Sequence, residues 1–407
     1  MWNEISGGVC AAKGFTAAGV HCGVKEGSSP DKNDLALILS EKECTAAATY
    51  TLNRVKAAPL YVTMDHLEDG TAWGIVANSG NANACCPLSH ENAQAMSEAA
   101  AQVTGQEPGD FVVASTGVIG QTLNIGAIQA GLPRAAAALS RDGSDAAATA
   151  IMTTDTRKKE IAVSFELGGR EVRLGAIAKG SGMIHPNMGT MLAFLTCDCA
   201  ITQEMLSDAL HEVVARTFNR VTVDGDTSTN DMCVILCNGM AGNPLIEWKD
   251  ENYQLFLEGL EHVCRALARA IAADGEGASR LVTCRVEGAR SEESAERLAK
   301  AVVGSSLVKA AMFGADANWG RVLCAMGYSK APFRPEHVDI AFRSQAGEIL
   351  VCRQGDGLEF DEDQAKTILS QPEVIIAVDL HEGEDAAECW GCDLTYDYVK
   401  INGDYRT

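Results

Sequence analysis

No window of the 407-residue sequence approaches the run of about eighteen apolar residues that a membrane helix needs, and the amino terminus lacks a basic stretch followed by an apolar one. A cytoplasmic protein, neither inserted nor exported, is expected. Basic residues are scarce: 33 Lys and Arg against 55 Asp and Glu leave a net charge of −22, which argues against nucleic acid and anionic membranes as partners. An anionic substrate stays open, because charge beyond about 8 Å is largely screened and a single local cation decides what a pocket accepts. Proline-, serine- or glycine-only tracts are missing, as is an internal repeat, and 46% apolar with 22% charged residues is the balance of a folded chain. Neither a G-x-x-x-x-G-K-[ST] loop nor a dinucleotide fingerprint appears, and no histidine cluster completes a zinc site, so no cofactor or metal is expected.

The fifteen cysteines are odd in number and scattered through apolar surroundings, as in a reducing compartment. Cys389-Trp390-Gly391-Cys392 has the spacing of a redox pair but does not open a helix after a strand, so it reads as incidental. Cys85-Cys86 and Cys197-Asp198-Cys199 read as core or loop cysteines.

What the chain does hold is the stretch from Lys179 to Phe194, in which Thr190 stands between a loop with Gly180, Gly182, Pro186 and Gly189 and an apolar run from Met191 to Leu195. Such a setting fixes one peptide bond in one pose. A threonine hydroxyl is a weak nucleophile without a neighbouring base, and cutting the Gly189-Thr190 bond would supply one in its own amine, which titrates near ~8. An ordinary strand-edge threonine is the competing reading. Upstream, Ile161, Val163, Phe165 and Leu167 alternate with polar residues, Gly168-Gly169 turn the chain, and Val172, Leu174 and Ala176 resume, which predicts a β-hairpin ending at Lys179. Downstream, Thr202 is placed to cap a helix with Met205, Leu206, Leu210, Val213, Val214 and Phe218 on one face. Phe256 to Ile271 predicts a second helix ending at Asp274-Gly275, and Ser291 opens a third through Leu298, Val302 and Val303. Hairpins with one-faced helices suggest helices packed outside facing sheets.

Acyl transfer also needs donors for an oxyanion. Ser115-Thr116-Gly117 follows the apolar run Phe111 to Ala114, which puts its N–H groups at a strand end, although a lone Ser-Thr-Gly is usually a plain turn. Lys179, eleven positions before Thr190, is a local cation that can pair with a substrate carboxylate. Asn219, Asp224, Asp226 and Asn230 read as supporting or solvated groups with no step assigned.

Motifs along the whole chain resemble those of the ornithine acetyltransferase, or glutamate N-acetyltransferase, family of arginine biosynthesis. They include Gly7-Gly8-Val9, Thr51 to Pro59, Asn78-Ser79-Gly80-Asn81-Ala82-Asn83, Ser115 to Gly120, Lys179 to Asp198, Asp224 to Asp231, Asp274-Gly275-Glu276-Gly277-Ala278, Gly314 to Arg321 and Ile401 to Thr407. The resemblance implies an α/β (α+β) fold, a layered αββα sandwich like that of amino-terminal nucleophile hydrolases. The expected units are residues 1–280, holding the cleavage site, and a smaller α/β unit of 281–407. Cleavage between Gly189 and Thr190 would give chains 1–189 and 190–407, paired as a heterotetramer. By the same resemblance Thr190 is nucleophile, Thr116 and Gly117 form the oxyanion hole, and Thr153, Lys179, Thr190, Glu276, Asn402 and Thr407 bind substrate, Glu276 being able to pair with an ammonium. The implied partners are N-acetylornithine and glutamate; family members with and without acetyl-CoA as a donor share these motifs. Gly189 departs from the family's usual alanine, losing a Cβ that could help hold the scissile bond in a strained pose. His185 also stands where alanine is common, and Cys86 and Cys197 where threonine is expected. The rival readings are an amino-terminal-threonine hydrolase or aminopeptidase and an unprocessed, inactive homologue that acts by binding.

Overall fold

The computed structural model describes residues 2–185 and 191–404. Nine strands form one sheet: Asn3–Ile5 (β1), Phe15–Val20 (β2), Leu35–Tyr50 (β3), Thr71–Asn78 (β4), Phe111–Ser115 (β5), Lys159–Leu167 (β6), Arg170–Lys179 (β7), Leu192–Cys197 (β8) and Met232–Cys237 (β9). The strand β3 is long enough to belong to two layers. Its first half pairs with β2 and β4, and its second half, from Thr45, pairs with β9, with a register break against β4 between Leu39 and Cys44. One layer is therefore β1-β6-β7-β8-β9 with the end of β3, and the other is β2, the start of β3, β4 and β5.

Alternation along the strands fills three cores. Between the layers lie Ile177, Leu192, Phe194, Val234 and Leu236 from one side and Phe15, Ile38, Ile75 and Val112 from the other. On the first layer's outer face, Val163, Leu174, Ala176, Leu195 and Ile235 pack under Gln203–Arg216 and Glu251–Ala273. On the second layer's outer face, Leu37, Val76, Phe111 and Val113 pack under Ala58–His66 (α1), Ser89–Thr104 (α2) and Ile125–Ala137 (α3). With Ser144–Ala150 as α4, the two helices on the first layer are α5 and α6. The order helix, sheet, sheet, helix is the expected αββα sandwich.

A second, six-stranded sheet follows: Leu281–Ala289 (β10), Asp339–Ser344 (β11), Gly347–Arg353 (β12), Asp356–Gly357 (β13), Glu373–Asp379 (β14) and Asp385–Cys392 (β15). Its own core includes Leu298, Val302 and Val303 of Glu292–Gly304 (α7). Ser306–Phe313 (α8), Trp319–Gly327 (α9) and Glu362–Leu369 (α10) complete this unit, and Tyr396–Asp404 (α11) closes the described chain. Leu281, Trp390 and Cys392 instead join the core around α6, so that helix is shared by both sheets.

The hairpin forms as read, with Leu167 facing Arg170 across Gly168 (φ +55°) and Gly169 (φ +78°), the left-handed pair that a two-residue turn requires. Ser291 caps α7 through its hydroxyl, which accepts from Ser294 N. Thr202 does stand before α5, but its side chain makes no capping bond. Cys389 and Cys392 are both free and buried in different cores, since residues three apart on a strand face opposite ways. No redox pair forms there.

Candidate functional site

Several elements end at one rim of the sandwich: β5 at Ser115, β7 at Lys179 and α6 at Ala273, while β8 and β9 begin there at Leu192 and Met232. Between these ends lies a cavity of about 140 Å³. It is lined by Thr116, Gly117, Thr153, Lys179, Glu276 and Asn402, together with Ile184 and Met191, which lie close to the undescribed stretch on either side. Six of the residues named from sequence thus meet in one place. Gly189, Thr190 and Thr407 lie outside the described residues. Asn230 and Asp231 also line the cavity; Asp231 closes the Asp224 to Asp231 motif, but nothing in the sequence around it distinguishes a buried acid from a solvated one.

Lys179 is the last residue of β7 and shares its face with Ile177, so its side chain enters the space between the two layers. There Nζ donates to Thr116 Oγ1 at 3.4 Å, across from the end of β5. The side chain is 8% exposed, and burial pulls its pKa down; Lys159 adds to that, while Asp155, Asp231 and Glu276 oppose it. No carboxylate pairs with Lys179 among the described residues, whose nearby lysine salt bridges belong to Lys159. An underpaired, buried ammonium is a good receptor for an incoming carboxylate.

The turn after β5 is set by Gly117, whose φ of +132° suits glycine and where a Cβ would lie 2.9 Å from Asn81 N. Its geometry refines the expected donors. The Thr116 N–H already donates to Asn78 O at 2.9 Å, so the turn offers the Gly117 N–H and the Thr116 hydroxyl. Because that hydroxyl accepts from Lys179, its own hydrogen is left to donate. Asn230 ties this turn to β9: Nδ2 donates to Ser115 O at 2.8 Å and Ala82 O at 2.6 Å.

Glu276 follows α6 and its N–H donates to Ser181 O. A Cβ on Gly182 would run into its carboxyl, so glycine there permits the close approach. Asn402 of α11 donates to Glu276 Oε2 at 2.7 Å, bringing the last described helix over the cavity. The chain leading out of Lys179 is clamped as well. Asp224 accepts from Met183 N and Ile184 N at 2.6 and 2.9 Å, and Thr227 Oγ1 donates to His185 O at 2.8 Å. Met183 has φ +55°, a strained value for a non-glycine residue, which the Asp224 bonds hold in place. His185 contacts Thr222 Oγ1 through Nδ1, and burial with Lys300 nearby lowers its pKa to about 4, so it is uncharged at neutral pH.

Behind the cavity runs a buried ion cluster that the sequence did not disclose. Lys159 Nζ donates to Asp155 Oδ1 at 2.8 Å and to Asp274 Oδ2 at 2.6 Å. Asp155 also accepts from Thr153 N and Gly180 N, and Asp274 accepts from Thr156 and Arg157. Thr153, Lys179 and Glu276 are each within two residues of this cluster, which fixes their backbones relative to one another. Among the described residues no group of three His, Cys, Asp or Glu is arranged to hold a metal ion, and no helix is long and apolar enough to cross a membrane.

Comparison with known proteins matches residues 16–407 to the model of the ArgJ family. The arginine biosynthesis bifunctional protein ArgJ of Symbiobacterium thermophilum is 51% identical over 404 residues, covering 99% of each chain. Its counterpart ArgJ 1 of Clostridium acetobutylicum is 48% identical over 394 residues, 97% of this chain and 96% of that one. Among solved structures, the arginine biosynthesis bifunctional protein of Bacillus halodurans superposes with a TM-score of 0.51 at 45% identity, covering 53% of this chain and 100% of that one.

Proposed function

The chain belongs to the ArgJ family, and from that premise we propose that it moves acetyl from N-acetylornithine to glutamate through an acetyl ester on Thr190. It is an acetyltransferase of arginine biosynthesis. One observation carries the finer reading: a single cavity gathers a buried ammonium, a carboxylate and an oxyanion turn beside Met191, the residue bonded to Thr190.

In the proposed sequence, Thr190 Oγ attacks the Gly189 carbonyl, the peptide C–N bond breaks to give an ester and a free amine, and water hydrolyses the ester to leave two chains. Support comes from the Bacillus halodurans chain, which is matched in full by 53% of this one; residues 190–407 make up just over half of the sequence. The freed Oγ then attacks the acetyl carbon of N-acetylornithine, its proton passing to the Thr190 amine and on to the departing ornithine amine. The Gly117 N–H and the Thr116 hydroxyl stabilise the oxyanion. Lys179 holds the substrate carboxylate and Glu276 an ammonium. Glutamate's amine attacks the acetyl ester and Oγ leaves with the proton. The relatives' names call them bifunctional, and the reading includes acetyl-CoA as a second donor. The two chains stay together, two such pairs forming a heterotetramer.

Intact mass under denaturing conditions, with sequencing of any new amino terminus, tests the reading first. Fragments meeting at Gly189 and Thr190, lost together with transfer in Thr190→Ala, are expected; surviving cleavage in that variant would refute the nucleophile. Release of ornithine that glutamate does not accelerate would favour hydrolysis, and a single uncut chain without turnover would favour a binding role. Glutamate-dependent release of free thiol from acetyl-CoA tests the second donor.

A further inference from the structure

Asp231 stands immediately before β9, and the N–H of the next residue, Met232, donates to Met191 O at 2.8 Å, which puts Asp231 beside Met191. Its backbone carbonyl accepts from Thr51 N at 3.0 Å, so the residue is held from both sides. The side chain lines the cavity yet is only 3% exposed. One of its carboxyl oxygens, Oδ2, is buried and has no hydrogen-bond partner. Ionised carboxylates that are buried are ordinarily saturated with donors, as Asp155 and Asp274 are a short distance away. An oxygen without a donor in such a place fits the neutral, carboxylic-acid form of the side chain.

Resting on the reading of this cavity as the N-acetylornithine site, we propose that Asp231 is a substrate-binding residue that works as a neutral acid, donating a hydrogen bond to the substrate carboxylate that Lys179 also holds. Burial and the groups around it pull in opposite directions. Lys179 on β7 favours ionisation, although no salt bridge joins the two, and so do hydrogen bonds from the Ser228 hydroxyl and backbone and from the Thr51 hydroxyl, while Asp155 and Glu276 surround Lys179 with further negative charge. Burial dominates and holds the Asp231 carboxyl well above the usual carboxylate range. A neutral Asp231 leaves the Lys179 ammonium for the substrate; an ionised one would occupy it and repel the incoming carboxylate.

Two measurements test this. Infrared spectra of the protein without substrate, recorded as pH is raised, should contain a protonated-carboxyl band at neutral pH that is missing in Asp231→Asn and shifts when N-acetylornithine is added. This arm without substrate needs no turnover, so it judges Asp231 even where the transfer reading fails. Kinetically, the KM for N-acetylornithine should rise about tenfold per pH unit above the Asp231 titration in the natural enzyme, whereas Asp231→Asn, which keeps the shape and an N–H donor, should hold KM flat. Absence of the band at neutral pH, or a variant whose KM climbs with pH as in the natural enzyme, would overturn the proposal. Should Asp231→Asn fail to fold, the pH titration and ligand shift of the natural protein's band decide alone.

Discussion

Lys159 and Lys179 occupy nearly the same place in the fold and do opposite things. Lys159 begins β6 opposite Ala178, one residue from the end of β7, and the two lysines are 3% and 8% exposed. Ala178 packs on the α6 side of the sheet, and Lys159 shares that side, where Asp155 and Asp274 enclose its ammonium. Lys179 points through the sheet to the other side, into the space between layers, where it meets a hydroxyl and a cavity. The lesson concerns partners rather than residue type. A buried charge with every valence filled is part of the frame, and one left underpaired at a cavity is, on the proposed reading, kept for a ligand, at a cost to stability that the frame must offset.

Breaking the frame gives the largest expected effect. Lys159→Met should lower the unfolding free energy by about 3 to 5 kcal/mol, because two buried carboxylates lose their cation. Urea denaturation followed by circular dichroism checks it, and a variant as stable as the natural protein would mean that the cluster does not hold the site together. Next comes the turn after β5, the proposed oxyanion site. With the Thr116 N–H committed to Asn78, Thr116→Val should cost about 10²- to 10³-fold in kcat while Thr116→Ser retains most of the rate. Equal activity of the valine and serine variants would return the role to backbone groups alone.

Lys179→Met sharpens the contrast from the other side. Its stability should match or exceed that of the natural protein, since a desolvated ammonium disappears, whereas kcat/KM for N-acetylornithine should fall about 10- to 100-fold, the worth of a charged hydrogen bond. A variant as destabilised as Lys159→Met would show that both lysines are structural.

This contrast also marks where sequence reading stops. The hairpin at Gly168-Gly169, the faces of α5, α6 and α7, and the strand before Thr116 were legible, because each depends on spacing over fewer than about twenty residues. The layer change in β3 was not, since a 16-residue strand that serves two sheets leaves no local mark. Likewise Thr153-Thr154-Asp155-Thr156-Arg157-Lys158-Lys159-Glu160 looks like a solvated polar run. Only the fold carries Asp274 from the end of α6 to meet it, at a sequence distance of 115 residues. Asp231 ends the Asp224 to Asp231 motif, but no role for it was legible there for the same reason: burial is a property of the assembled layers.

The smallest expected effect is in acid, and it separates the two lysines by their hold on Asp155. Burial would raise the Asp155 pKa, but Lys179 and Lys159 with the Gly180 N–H bring it down from 3.8 to about 2. A depressed carboxylate stabilises the fold fully above its unfolded value and loses that contribution as pH falls through the folded one. The natural protein should therefore surrender about 2 kcal/mol between pH 4 and pH 2 by proton linkage from this group. Asp155→Asn should lose its share of stability at pH 7 and show a shallower acid limb, measured as unfolding free energy against pH. Lys179→Met removes the first of the two lysines that depress Asp155 and should shift the limb toward higher pH, the share of neutral stability lost with it being offset by removal of the desolvated ammonium. An unshifted limb would mean that Lys159 alone sets the charge of Asp155, and that the frame and the cavity are electrostatically separate.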